Sequence, residues 1–584
     1  MGIPRFYKTF VSLLRANNLT LQGIPRNVFS LSLDMNGILH QAAQLCYAYS
    51  HDASDQRKAY VTKTSQEILE KEYQRTVSSK IMELVQAIRP TGALIMAVDG
   101  VCPLAKIKQQ RQRRYKAAAE RTSTNPNAFD SNAISTGTDF MARLDAYLTA
   151  WVKKEHLNLP PLVIFSGHLV PNEGEHKVMD IFRTREELRG PHKIHVVHGL
   201  DADLILLSAL TIPNALLYRE DPAQGDVILN IEAFKQGIKS LLGQSNTSMM
   251  DFTVMMSFVG NDFLPGVIST SNMADSLHAL ARVYRETRIP LTDKKGQLHW
   301  KNLATFLSVV ADIEPEMFVK LSYQAKHPLF IVENNMTSKD TIDFEQLKID
   351  WYNKILSPPE TAASSFILSE KKFAPLFEMN DENFNNMLTQ YMTGVSWCLK
   401  YYTEGPNKTN MSWYYPYFHA PLFYELAQIT DQMDQSFLDD LKDNYRFSIP
   451  HQLLSVLPVQ SANLIPKSIR HFATDEWSVI RDLFPNTFVM DTEASKHGNA
   501  LVPFVDPQRI IDAVDSVVWN DAQRKYYFEV GKDLVLKRVH LPQPQSMKTQ
   551  PKFSIRTAKQ NDRSERRDPE GSPTRVWNAV YKNK

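Results

Sequence analysis

Asp201 and Asp203, in GLDADLILLS (199–208), place two carboxylates two residues apart just before an apolar run. On a strand that spacing would put both side chains on one face. Held side by side, each raises the other's pKa unless a positive charge sits between them. That charge is either a lysine or arginine side chain or a divalent cation. Four further segments carry acids in comparable settings: LSLDMNG (Asp34), MAVDGV (Asp99), PNEGEHK (Glu173 and Glu175) and FVGNDFLP (Asp262). Each has an ordinary explanation when taken alone. An Asp at a strand end often caps the next helix, and Asp262 after Gly-Asn fits an N-cap equally well. Together, however, seven acids converging on one site could not all ionise without cations. Two Mg²⁺ ions about 4 Å apart would neutralise four charges and also hold phosphate oxygens. An oxygen-only ligand set suits Mg²⁺ or Mn²⁺ better than zinc.

A basic segment, AKIKQQRQRRYK, follows Asp99 closely. On a helix Lys106, Gln110, Arg113 and Arg114 fall at i, i+4, i+7 and i+8 and share one face, while Lys108 and Arg111 point elsewhere. A run of charge is usually a solvated face. Its closeness to Asp99 favours a different role, the binding of a terminal phosphate, with arginine forks gripping the oxygens and lysine adding a point charge.

These residues need elements to position them. Near-continuous apolar runs at 27–34 (NVFSLSLD), 93–99 (ALIMAVD), 162–167 (LVIFSG) and 194–199 (IHVVHG) read as buried strands. Between the first two, residues 65–89 form an amphipathic helix ended by Pro90. Strand–helix–strand alternation predicts a mostly parallel α/β sheet, in which ligands bind beyond the carboxyl ends of the strands. Asp34 and Asp99 end two of the runs, and Asp201 and Asp203 follow a third.

The 584 residues are 43% hydrophobic, and 66 Lys and Arg nearly balance 64 Asp and Glu. A nucleic-acid site must therefore be a local concentration of charge. Cys46, Cys102 and Cys398 are widely separated with no CxxC, which argues against a disulfide framework and a structural zinc and fits a reducing compartment. No apolar stretch is long enough to span a bilayer, so the expectation is a soluble intracellular protein without a membrane partner. Four regions are expected: an α/β domain at 1–284, a helical connection at 285–390, an aromatic-rich second region at 391–541, and a disordered basic tail at 542–584.

The segments MGIPRFYK, LDMNGILH, MAVDGVCPLAKIKQQRQRRYK, FDSNAISTGTDFM, FSGHLVPNEGEHKVM, GLDADLILL and FVGNDFLP resemble, in order, the conserved blocks of the XRN 5′→3′ exoribonucleases. WYYPYFHAP, QLLSVLP and LVPFVD are similar to that family's second conserved region. The resemblance implies a PIN/flap-nuclease-like fold and removal of nucleoside 5′-monophosphates from single-stranded RNA bearing a 5′-monophosphate, in mRNA decay. It assigns the seven acids to two Mg²⁺ ions (or Mn²⁺), and Lys106, Gln110, Arg113 and Arg114 to the 5′-phosphate pocket. His40 and Trp413 match residues that stack on the leading nucleotides, with Trp397 close by in sequence. A cytoplasmic monomer is expected. The rival expectations are a structure-specific DNA flap nuclease and a non-catalytic RNA-binding scaffold.

Overall fold

The computed structural model describes residues 6–7, 9, 20–21, 23–49, 53–120, 128–220, 225–243, 248–324, 329–356, 381–434, 444–491 and 499–538. The basic tail expected at 542–584 lies outside the described residues.

Seven strands and one late return build the main sheet: β1 (Thr20–Leu21), β2 (Val28–Asp34), β3 (Ala93–Ala97), β4 (Leu162–Ser166), β5 (Ile194–His198), β6 (Ala215–Arg219), β7 (Val227–Asn230) and the strand Leu534–Lys537. Their spatial order is β1-β7-β6-β5-β2-β3-β4 followed by Leu534–Lys537. The central five, from β6 to β4, pair in parallel. The two edges are antiparallel. The sequence therefore predicts the mostly parallel α/β core correctly. It misses β1, β6, β7 and the last strand, which pairs Leu534 with Phe165 and Lys537 with Leu162. A segment of the second region thus closes the edge of the first.

Alternation along the strands explains the layers. Leu31, Leu33, Leu94, Met96, Val163, Phe165 and Val196 face one core, with the helices Met35–Tyr47, Gln66–Ile88 and Asp139–Glu155. Ala93, Ile95, Ala97, Leu162, Ile164 and Val197 face the other, with Gly174–Thr184, Asp203–Thr211 and much of the helical region. Burial on both faces is why these strands carry unbroken apolar runs. The long helix expected at 65–89 spans Gln66–Ile88, and Arg89 caps it in a left-handed conformation before Pro90.

The connection after the sheet is helical, with Trp300–Gln324, Phe344–Leu356 and Asp381–Glu404 as its main described elements. A separate core joins Leu104 and Ile107 of the basic helix to Leu453, Leu454, Ile469 and Ile510 of the second region. The basic helix is thereby clamped between the two parts of the chain. No described helix is long and apolar enough to cross a membrane.

Candidate active site

The chain runs β2, β3, β4 toward one side and then returns to place β5 on the other side of β2. In sheets of this kind ligands bind at the carboxyl ends of the strands where the winding direction switches, here between β2 and β5. Asp34 is the last residue of β2, Asp99 follows β3, Glu173 and Glu175 follow β4, and Asp201 and Asp203 follow β5. Four adjacent strands therefore deliver six of the seven acids to one end of the sheet. The strand spacing expected for Asp201 and Asp203 does not hold. β5 stops at His198, Asp201 lies in the turn, and Asp203 opens the helix Asp203–Thr211. The turn, rather than a pleat, sets their relation.

Asp34, Asp99 and Glu175 each offer an oxygen within 4.8 Å of the others. Asp34 keeps some capping character, accepting the Asn36 N–H at 3.4 Å. The Asn36 side-chain amide brackets Asp99, donating to its carboxylate and accepting its backbone N–H. The other Asp99 oxygen accepts the Gly174 N–H at 2.7 Å. Gly174 is required by close approach, since a Cβ there would stand 2.8 Å from Asp34 Oδ1 and 2.9 Å from the Ala97 carbonyl oxygen. Burial, then repulsion from Asp99 and Asp201, pushes the Asp34 carboxyl well above its usual range. Burial and the neighbouring Glu173 do the same to Glu175. Crowded oxygens whose charge is suppressed in this way fit a hard divalent cation, which would favour their ionised forms.

A lysine serves the remaining acids. Lys106 Nζ donates to Asp262 Oδ2 at 2.7 Å, pairs with Glu173, and lies 4.0 Å from Glu175. Desolvation of the ammonium is outweighed by Asp262, Glu173, Glu175 and Asp201, and its pKa stands well above the ordinary value. Asp262 is not the cap that Gly-Asn suggests, because Asn261 Oδ1 accepts both the Phe263 and Leu264 N–H groups. Asp262 instead meets Lys106, which brings its carboxyl below the usual range despite burial. Both positive charges considered for the acids therefore have a place, a lysine at one end and a cation-sized oxygen cluster at the other.

Two tyrosines that carry no signal in the sequence complete this half. Tyr401 donates to Glu173 Oε2 at 2.8 Å and Tyr402 to Asp203 Oδ2 at 2.7 Å. Burial, then Asp262, raises the Asp203 carboxyl to about 7. Lys177 is also missed from sequence. Its Nζ donates to the carbonyls of Val98 and Gly167 at 2.6 and 2.9 Å, tying the ends of β3 and β4 together beside Asp99.

The basic helix is Leu104–Ala119. Lys106 and Gln110 are buried, Arg114 is half-buried and Arg113 is exposed, so the stripe leads from the acids toward solvent. Arg114 donates to Gln110 Oε1 at 3.3 Å, and its Nε is buried without a partner. Burial, then the adjacent Arg113, lowers Arg114 to about 10. Lys108 and Arg111 turn the other way, as their helical positions require. Lys108 binds the Tyr415 and Tyr417 carbonyls, and Arg111 those of Pro503, Ser455 and Leu483.

His40, on the helix Met35–Tyr47, is lowered to about 4 by burial and then by Arg113 and Arg114, which places it beside the stripe as a neutral ring. Trp413 is 5% exposed, donates its indole N–H to Gln390, and packs against Trp397 at 5.3 Å between centroids. Among the described residues no ring contact joins it to His40.

Two family models match the chain: the XRN 5'-3' exonuclease N-terminus over residues 1–221, and the Xrn1 helical domain over residues 369–533. The chain is 27% identical to 5'-3' exoribonuclease 1 of Homo sapiens, covering 88% of this chain and 34% of that protein. It is 25% identical to 5'-3' exoribonuclease 1 of Saccharomyces cerevisiae (92% and 44%) and 26% identical to 5'-3' exoribonuclease 2 of Gallus gallus (84% and 65%). It thus spans a third to two thirds of the length of these relatives. A solved structure of the catalytic core of Rad2 in complex with DNA substrate is 14% identical, with a TM-score of 0.29, covering 67% of this chain and 94% of that one.

Proposed function

Because this chain belongs to the XRN 5'-3' exonuclease family, we propose that it is a metal-dependent 5′→3′ exoribonuclease acting on single-stranded RNA with a 5′-monophosphate. It would release nucleoside 5′-monophosphates and serve mRNA decay as a cytoplasmic monomer. The three free, buried cysteines fit a reducing compartment.

One observation carries the reading: the basic stripe starts inside the acid cluster. Lys106 touches Glu173 and Asp262, while Arg113 and Arg114 stand seven and eight residues further on, about 11 Å along the helix axis. A terminal phosphate gripped by Gln110, Arg113 and Arg114 would bring the first internucleotide linkage toward the acids. Lys106 belongs to both groups, fixing the acids and facing the incoming phosphate. Arginine forks suit a terminal phosphate because it offers more free oxygens than an internal diester.

Asp34, Asp99 and Glu175 would hold a divalent cation, with Glu173, Asp201, Asp203 and Asp262 completing a set for two Mg²⁺ or Mn²⁺ ions. When bound, such ions supply Lewis-acid activation of the scissile phosphate. The chain's own work is to orient. Asn36 and the Gly174 N–H fix Asp99, the tyrosines fix Glu173 and Asp203, and Lys106 fixes Asp262. His40, uncharged at neutral pH, offers a sequence-tolerant stacking face to a leading base. Trp413, although buried, is the second ring in this reading.

The test is cleavage of 5′-phosphorylated single-stranded RNA and of a DNA flap, each with and without Mg²⁺. Mg²⁺-dependent loss of the RNA alone supports the proposal. Preference for the flap supports a structure-specific DNA nuclease, and RNA binding without cleavage supports a scaffold.

A further inference from the structure

We infer that Tyr401 and Tyr402 are positioning residues through which the helical region sets the orientation of two active-site acids. This rests on the proposed metal-dependent reading of the same site.

Both hydroxyls come from the helix Asp381–Glu404, and both side chains are buried. Tyr401 reaches Glu173, beyond β4, and Tyr402 reaches Asp203, beyond β5. Consecutive helical residues diverge by about 100°, so one turn of one helix can serve acids on two separate connections of the sheet. The rings have little freedom. Tyr401 stacks on Trp397 with centroids 4.7 Å apart and planes 19° apart, and lies 3.9 Å from the His176 ring. Phe263, next to Asp262, packs edge-on against both tyrosines at 5.3 and 6.3 Å. Trp397 continues the contact to Trp413. A ladder of packed rings therefore runs from Trp413 to Glu173.

The choice of donor has a chemical consequence. A lysine at either place would fix the carboxylate and also cancel its charge. A neutral phenol fixes one carboxylate oxygen without adding a second cation beside Lys106, so the negative charge of the cluster stays available to a divalent cation. Partners of this kind, one shell behind a metal's ligands, commonly change metal affinity by about 10–100-fold when removed.

Tyr401→Phe and Tyr402→Phe remove each hydroxyl and keep the ring packing. On the full chain without RNA, Mn²⁺ binding is measured by titration calorimetry and stability by denaturant unfolding in a chelator. Turnover on 5′-phosphorylated RNA is measured at saturating Mg²⁺. We expect each variant to bind Mn²⁺ about 10-fold more weakly or worse, with an unfolding midpoint near wild type and a lower kcat at unchanged KM for RNA. Unchanged Mn²⁺ affinity, with or without a lowered midpoint, overturns the inference, and so does a wild type that binds no Mn²⁺. A wild type that binds Mn²⁺, loses affinity on substitution and cuts no RNA would overturn the proposed function and uphold the inference.

Discussion

Lys106 and Asp262, far apart in sequence, meet in a buried ion pair of 2.7 Å at the centre of the site. The pair joins the basic helix Leu104–Ala119 to the acid that follows Gly260-Asn261. Breaking a buried pair by removing one partner leaves an uncompensated charge, typically a loss of about 3–5 kcal/mol. Lys106→Met should lower stability on that scale in a chelator, because Glu173 loses its cationic partner as well and keeps only the Tyr401 hydroxyl. Adding Mg²⁺ should recover part of the loss. Urea unfolding with and without the ion reads this, and a variant as stable as wild type in chelator would contradict it.

Asp201→Ala and Asp203→Ala should abolish cleavage while leaving RNA binding largely intact. Asp201 lies in a turn and Asp203 opens a helix, and neither builds the sheet. Turnover in Mg²⁺ and affinity for 5′-phosphorylated RNA are the readouts. Near-wild-type turnover of either variant would remove that acid from the reaction.

Lys177→Met should leave the Val98 and Gly167 carbonyls without their buried donor. An unsatisfied buried polar group costs about 1–3 kcal/mol, so unfolding should shift by that order or more. Since Val98 precedes Asp99, kcat should fall with it. A destabilised variant of unchanged kcat would make Lys177 a purely structural tie.

Glu314 gives a pH signature remote from the acids. It is buried, accepts from Ser269 Oγ at 2.8 Å and from the Phe423 N–H at 3.0 Å, and burial raises it to about 8, with Glu425 adding to the rise. A carboxyl raised in the folded state contributes stability that is present below its unfolded pKa near 4.5 and lost as pH climbs to about 8. Its share of the slope is at most about 1.4 kcal/mol per pH unit. Glu314→Gln should flatten the fall in unfolding free energy between pH 5 and 8, and identical slopes in both proteins would contradict this.

The parts legible in the sequence are those fixed by local pattern. The runs ending at Asp34 and near Asp99 show their double-sided burial directly, and the i, i+4, i+7, i+8 spacing places Lys106, Gln110, Arg113 and Arg114 on one face. Leu534–Lys537 was not legible, because the apolar run of this short edge strand, Leu534 to Leu536, is too brief to stand out, and its residues alternate between half-buried and exposed. The hydroxyls of Tyr401 and Tyr402 were hidden for another reason: their acids lie 228 and 199 residues away, and no spacing rule spans such a separation. The dual place of Lys106 depends on the same kind of long-range packing, which brings a residue read as a phosphate ligand against Glu173 and Asp262.

The central claim is that the stripe reads a 5′-terminal phosphate and delivers the next linkage to the acids. The direct measurement is the rate of mononucleotide release from 5′-monophosphate and 5′-hydroxyl RNA, for wild type and for Arg113→Ala/Arg114→Ala, at fixed salt and saturating Mg²⁺. Charge-assisted hydrogen bonds are worth about 1.5–3 kcal/mol each. Losing both arginines should therefore slow cleavage of the 5′-monophosphate substrate by two to four orders of magnitude, on the order of 3–6 kcal/mol at about 1.4 kcal/mol per decade, and leave the slow cleavage of 5′-hydroxyl RNA almost unchanged. An equal proportional loss on both substrates would show that the arginines bind backbone generally and do not read the end.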